Sequence, residues 1–326
     1  MKIVVPYLLI SLLLIRALLC GKAATHPNLS VQHTAAEYKW IKVLDKGPWK
    51  ESYNFQLFSH HDTLWAFHFD GVWFSANGRS WIKSSLPNVI DNLAFLNYVS
   101  FNNSILGLGR FTGNIEQYSL QSTIYRTHDL KGWEILANPS TLPRRFFYRP
   151  FVFQNKLWFV GGEDSKTQFA DIWNSPDGIV WTKVKDNLSF GKRSRSQVVM
   201  LGNKLYLLNN DVWSSEDGLH WKQETGAIIN GVEIFGYTAV VLDGQIWLLG
   251  CNRNGQFSSQ VLVSSDGRTW WEQKAPWSPR GGIAACVHQG KIYMTGGKYG
   301  GFDGDQTKFI YSNDVWVLER KSQTND

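Results

Sequence analysis

One short pattern recurs along this chain, and it narrows the available folds more than any compositional total. The segments DIWNSPDGIVWTKV from Asp171, DVWSSEDGLHWKQE from Asp211 and QVLVSSDGRTWWEQ from Gln260 match closely. GVWFSANGRSWIKS from Gly71 keeps the pattern with Asn77 replacing the aspartate, and TIYRTHDLKGWEIL from Thr123 is a looser copy that still carries a tryptophan. The marker tryptophans are Trp81, Trp133, Trp181, Trp221 and Trp270. They lie roughly 40 to 52 residues apart, the length of a four-stranded repeat. Asp-Gly or Asn-Gly between two β-rich runs predicts a tight hairpin. Asp177, Asp217 and Asp266 are therefore read as structural turn residues, with the tryptophan entering the outermost strand and filling the wedge to a neighbouring unit.

Upstream of each hairpin lies a second pair of apolar runs around a polar turn, such as FVFQNKLWFVGG from Phe151 and VVMLGNKLYLLNN from Val198. AVVLDGQIWLLGC from Ala239 and AACVHQGKIYMTGG from Ala284 repeat it, and weaker copies begin at Tyr98 and Phe55. Such runs suit inner strands buried on both faces. Six inner pairs stand against five outer hairpins. The sixth unit ends on DVWVLER, from Asp314 to Arg320, before an outer strand can form, whereas EYKWIKV, from Glu37 to Val43, resembles WTKV and puts Trp40 in the marker position. The reading is an all-β, six-bladed β-propeller whose N-terminal strand completes the last blade and removes its exposed edge.

The remaining organisation follows. Lys2, an apolar run from Ile3 to Leu19 and small residues through Ala24 form the layout of a secretory signal. Arg16 cuts that run below the ~20 residues a membrane span needs. The expected divisions are a signal peptide over 1–23, a short linker over 24–36, the propeller over 37–320 and a tail over 321–326. Leu18-Leu19 before Cys20 only loosely matches a lipoprotein box, so lipid anchoring at Cys20 is the less favoured alternative to a secreted or periplasmic location. Removing Lys2, Arg16 and Lys22 from the formal charge of +6 leaves +3, too little to argue for nucleic acid. Cys251 and Cys286 are either buried thiols on neighbouring strands or, after export, a disulfide. Asn28, Asn102 and Asn187 each open a glycosylation sequon.

Inner strands ending in a diglycine, as at Gly161-Gly162 and Gly296-Gly297, followed by an aromatic and then a tryptophan, resemble kelch repeats. The resemblance covers about Glu37 to Arg320. It departs at His68-Phe69, Asn209-Asn210 and Gly250-Cys251. The Ser-x-Asp-Gly element is also similar to the Asp-box of sialidase-type propellers, one residue shorter between aspartate and glycine. Kelch propellers host oxidases, sugar isomerases, adaptors and actin binders, so the resemblance implies a fold and leaves function open.

Kelch proteins often carry an arginine just before each innermost strand, at the mouth of the central channel. The resemblance places Arg195 and Arg280 there, with Arg144, Arg145 and Arg149 clustered near the equivalent place in the third blade beside Tyr148. Glu233 and Tyr237 fall near it in the fifth blade, and Tyr53 and Asn54 in the first. Convergent arginine forks would hold a carboxylate, phosphate or sulfate; the bland alternative is that they pair with neighbouring carbonyls or acids. His60 and His61 are read as a solvated turn rather than metal ligands, and the loop around Asp303 and Asp305 lacks the ligand count of a calcium site. The copper chemistry of kelch-type, galactose-oxidase-like enzymes needs a tyrosine-cysteine crosslink that neither Cys251 nor Cys286 supports. The expectation is a monomeric propeller without metal or cofactor that binds a glycan or protein partner at one channel mouth. The runner-up is a sugar mutarotase or epimerase resembling the kelch-type sialic acid isomerases, with Arg145, Arg195 and Arg280 holding the acid and Glu233 moving a proton.

Overall fold

The computed structural model describes residues 37–53, 55–84, 97–113, 118–128, 132–301 and 308–321. Strand β1 (Tyr38–Leu44) precedes a sheet of β2 (Gln56–His60), β3 (Thr63–His68), β4 (Gly71–Ser75) and β5 (Ile82–Lys83). The second sheet is β6 (Asn97–Phe101), β7 (Ser104–Gly113), β8 (Tyr118–Thr127) and β9 (Glu134–Ala137). The third is β10 (Phe151–Phe153), β11 (Lys156–Val160), β12 (Ile172–Ser175) and β13 (Thr182–Lys185). The fourth is β14 (Gln197–Leu201), β15 (Lys204–Leu208), β16 (Val212–Ser215) and β17 (Lys222–Thr225).

A short β18 (Ile234–Phe235) follows, then the fifth sheet's β19 (Thr238–Leu242) and β20 (Gln245–Leu249). The hairpin β21 (Cys251–Arg253) and β22 (Gln256–Ser258) pairs with β18, after which β23 (Gln260–Ser264) and β24 (Trp271–Lys274) complete the fifth sheet. The last sheet holds β25 (Ala284–His288) and β26 (Lys291–Thr295), a side hairpin β27 (Lys298–Gly300) and β28 (Phe309–Tyr311), and β29 (Val315–Arg320). Its fourth member is β1, antiparallel to β29 with Tyr38 opposite Arg320 and Trp40 opposite Leu318. Every pairing in these sheets is antiparallel, and no described residue is in an α-helix.

Six apolar clusters lie between the sheets. Trp133 packs where the first sheet meets the second, Trp181 where the second meets the third, and Trp221 where the third meets the fourth. Trp270 lies between the fourth and fifth, and Trp40 packs against the cluster between the fifth and sixth. Trp81 borders the cluster that Val315 and Val317 of the last sheet share with Leu57 and Leu64 of the first. Each marker tryptophan thus serves the contact of its own sheet with the preceding one, and Trp40 takes that place for the sixth.

The outer turn differs from the tight hairpin that Asp-Gly signals. Strand β12 ends at Ser175 and β13 begins at Thr182, so a full loop intervenes and Trp181 closes it rather than entering the strand. Side chains stabilise this longer loop. Asp177 Oδ1 accepts the backbone N–H groups of Ile179 and Val180 at 2.8 and 2.9 Å, Ser175 Oγ accepts that of Gly178 at 2.8 Å, and Trp181 Nε1 donates to Gly178 O at 3.0 Å. The same bonds recur around Asp217 and Asp266, and Asn77 supplies its oxygen in the first sheet. Gly178 needs its missing Cβ: φ is +82°, and a Cβ would lie 2.4 Å from Leu106 Cδ1 of the preceding sheet.

Several expectations meet their outcome here. Cys251 and Cys286 are free and buried, and they lie apart: Cys286 is on β25 in the cluster between the last and first sheets, Cys251 on β21 in the cluster between the fourth and fifth. The pairing of these two thiols and their placement on neighbouring strands are both corrected. Asn102 and Asn187 are exposed turn residues, whereas Asn28, Cys20, Asp303 and Asp305 lie outside the described residues. No described helix is long and apolar enough to cross a membrane.

Candidate functional site

Every innermost strand begins, and every second strand ends, on one face of the molecule. The side hairpins β21–β22 and β27–β28 rise on that face, so the mouth expected to carry function is the one they border. The first side chains below it form a repeated construction. Arg145 donates two hydrogen bonds to Asp171, at 2.7 and 3.1 Å, and one to Gly161 O at 2.9 Å, while Trp173 Nε1 donates to the same carboxylate at 2.8 Å. Arg280, Asp314 and Trp316 repeat this at 2.5, 3.2 and 2.8 Å, and Arg193, Asp211 and Trp213 at 2.9, 3.3 and 2.7 Å. The Arg145 and Arg280 side chains are 5% and 3% exposed. Buried and paired in this way, they tie the start of an innermost strand to the third strand of their own sheet, which is the bland alternative weighed for them.

In the fourth sheet the paired arginine is Arg193, not Arg195. Spacing could have identified it: Arg145 and Arg280 each precede the first residue of their diglycine by 16 positions, and Arg193 precedes Asn209 by the same interval. The repeated Asp-apolar-Trp at 171, 211 and 314 was the other visible signal. In the first sheet Ser52 stands at that interval, and the fully buried His68, in the diglycine position, contacts Asp70 through Nδ1.

These carboxylates give a pH dependence. Burial pushes Asp314 up, but the bond and charge of Arg280, with the Trp316 N–H and Ser312 hydroxyl, bring it below the usual carboxylate range. Burial likewise raises Asp177, and the loop N–H groups and Ser175 outweigh it; His68 and the Lys50 N–H do the same for Asp70. A carboxylate whose folded value is depressed contributes stability that is present above its unfolded value, about 4, and lost as pH falls through the folded value. Resistance to urea is therefore expected to stay level from pH 7 to 5 and to fall steadily from about pH 4 downward, read from denaturation midpoints.

Arg149 stands apart from the paired arginines. It precedes β10 in the position that Gln197 and Thr238 hold at the start of β14 and β19. It has no hydrogen bond or ion pair among the described residues. Its side chain is open to solvent, yet burial by the surrounding protein lowers its guanidinium, with Tyr237 of the fifth sheet as the charge-stabilising neighbour. Tyr237 is buried, its hydroxyl donating to Asn209 O at 2.8 Å, and burial raises its pKa. Arg195 is 56% exposed, lies 4.4 Å above the Phe147 ring and approaches Glu163 at 3.7 Å. Both Phe147 and Arg195 adopt left-handed backbone, φ +56° and +62°, joined by a 2.6 Å bond from Arg195 N to Phe147 O.

Glu233 is exposed, and its backbone N–H and carbonyl bond Asn254 in the turn of the β21–β22 hairpin. No described hydrogen bond or ion pair joins it to Arg145, Arg149, Arg195 or Arg280. Arg144 is exposed, and Asn54 lies outside the described residues. His60 is buried rather than solvated and bonds Ser100 Oγ at 2.9 Å; no group of three potential metal ligands occurs among the described residues. Tyr53 stacks on Tyr311 at 5.6 Å, in a cluster with Lys298, Phe309 and Phe257 that sequence reading missed, because its members come from three separate sheets.

Comparison with solved structures matches the architecture. The structure titled "Structure of YjhT" superposes with a TM-score of 0.68 over 86% of this chain and 99% of that one, at 12% sequence identity. The fold is that of a β-propeller. The family described as the DUF6242 beta propeller domain matches residues 127–230, a stretch that contains the third and fourth sheets of this propeller whole. No curated protein matches the chain.

Proposed function

We propose that this chain is an exported, kelch-like propeller whose six sheets are the blades of one closed ring, and that it binds a glycan or protein partner through acidic groups at the mouth bordered by the side hairpins. The pairing of β1 with β29 and the cluster shared by the last and first sheets support the ring. The basic and apolar leader from Lys2 supports export. Arg149 carries the binding reading. Its relatives in sequence position are small or amide side chains, whereas here an exposed guanidinium stands with no hydrogen bond or ion pair among the described residues. Such a group gains most from a carboxylate or sulfate delivered from solution. Loops on a rigid ring suit the partner's remaining contacts.

The enzyme alternative loses ground on the same geometry, since two of its three arginines pair with internal aspartates and no described hydrogen bond or ion pair joins Glu233 to any of them. The test is calorimetric titration of the mature protein with sugar acids, their neutral parent sugars and acidic peptides. An acidic ligand is expected to bind, and Arg149→Ala to weaken it by about 1.5–3 kcal/mol, or ~10- to 100-fold. Equal binding of the acidic ligand by wild type and Arg149→Ala would remove the reading.

A further inference from the structure

The bonds that join one innermost strand to the next set Arg149 apart. Gln197 opens β14 four residues after Arg193, as Arg149 stands four residues after Arg145. The Gln197 amide ties the fourth sheet to the fifth: Nε2 donates to Tyr237 O at 2.5 Å, and Oε1 accepts from Ala239 N–H at 3.0 Å. Gln56 Oε1 accepts from Tyr98 N–H of the second sheet at 3.0 Å in the same way, and Thr238 Oγ1 donates to Ile283 O of the sixth at 2.7 Å. An arginine side chain has donors and no acceptor, so Arg149 cannot serve the corresponding amide of the fourth sheet, Val198 N–H. Val198 stands opposite Leu207 in the register that sets Ala239 opposite Leu248 and Tyr98 opposite Gly107, so its N–H likewise points off the sheet edge. Among the described residues no side chain accepts from it.

The two donors belong to one interval. Phe151 and Phe153 pack into the cluster between the third and fourth sheets, and Arg149 keeps their alternation. Val198 packs into that same cluster from the other side, whereas Val199 and Leu201 turn to the fifth sheet. Met200, in step with Val198, is 52% exposed, so solvent reaches the face of β14 turned to Arg149. From this donor-only junction we infer that the ligand's acid is a carboxylate that takes the place of the glutamine amide, one oxygen accepting from Val198 N–H and the other from the Arg149 guanidinium. A carboxylate matches a side-chain amide in its planar shape and offers an acceptor at both ends, where the amide offers one. Both bonds are charge-assisted, and the guanidinium fork fixes the plane of the acid. The bound acid thereby ties the third sheet to the fourth as Gln197 ties the fourth to the fifth. The assignment rests on the anion reading of Arg149 and adds the second donor and the chemical class of the acid.

The test is amide hydrogen exchange resolved by residue, with glucuronate as the probe and glucose as its neutral counterpart. In the free protein Val198 N–H is expected to exchange about tenfold faster or more than Ala239 N–H, which the Gln197 oxygen holds. Glucuronate is expected to slow Val198 by about tenfold, and glucose to leave it unchanged. Arg149→Gln, which restores an amide acceptor, is expected to slow Val198 with no ligand added. Val198→Pro removes the donor outright, and the third sheet already carries Pro150 at the matching position, on a strand edge where proline is tolerated. Calorimetric titration is expected to show that variant binding glucuronate ~10-fold more weakly than wild type. A Val198 amide no faster than Ala239, an exchange rate that glucuronate leaves in place, or a Val198→Pro affinity equal to wild type overturns the assignment. The two readings fail separately. If Arg149→Ala weakens glucuronate and Val198→Pro does not, only the second donor is lost; if Arg149→Ala binds as wild type, the anion reading itself falls.

Discussion

Arg280→Met is expected to destabilise the protein by about 3–5 kcal/mol, because it leaves the Asp314 carboxylate buried without its counter-charge. Asp314 is 12% exposed and keeps only Trp316 Nε1 and Ser312 Oγ as donors. The double variant Arg280→Met/Asp314→Leu is expected to cost clearly less than Arg280→Met alone, since replacing both ions removes the orphaned charge. Arg145→Met and Arg145→Met/Asp171→Leu should behave in the same way. As reference, the exposed pair Lys183–Asp186, 43% and 55% accessible, is expected to lose under about 1 kcal/mol when Lys183 becomes alanine. Chemical denaturation of the set gives the comparison. An Arg280→Met cost no larger than that of Lys183→Ala would mean that these pairs do not brace their sheets.

A chain lacking residues 37–44 is expected to aggregate. Without β1, the edge of β29 is bare from Val315 to Arg320, and open edges of this kind pair with other chains. The cluster between the fifth and sixth sheets also loses Tyr38, whose ring meets Trp247 edge-on at 5.4 Å, and Trp40, which meets Trp277 at 4.3 Å. Deleting one such aromatic from a core costs about 3–5 kcal/mol, and here two go together with a strand's hydrogen bonds. Size-exclusion chromatography of the truncated protein should show aggregate, and a synthetic peptide of residues 37–44 added during refolding should restore the elution volume of the full chain. A truncated chain that keeps that elution volume with an unchanged denaturation midpoint would contradict the role given to β1.

The strand order was legible because the repeat states its own grammar. Apolar runs buried on two faces, a Ser-x-Asp-Gly turn and a tryptophan recur at regular intervals, and Trp40 could be recognised as a displaced copy of the same marker. The shape of the outer turn was not legible: Asp-Gly signals a tight hairpin, but Ser175 and Asp177 offer side-chain acceptors that stabilise a longer loop instead. The site was read less well than the fold, for one reason. Arginine in a loop looks the same in sequence whether it meets ligand or an internal aspartate, and the deciding partners, Asp171 and Asp314, lie 26 and 34 residues away. The cluster around Lys298 was harder still, since its rings come from residues 53 and 309 and no local pattern announces them.

The ends of the described chain meet: Lys321 N donates to Glu37 O at 2.7 Å, and Tyr38 and Arg320 both reach Asp243, in the turn between β19 and β20. That turn lies at the far end of the β19–β20 hairpin from Tyr237, the neighbour of Arg149. Anything joined to either end, whether a tether to a surface or a fused partner, would leave from that far edge of the sheets and keep clear of Arg149.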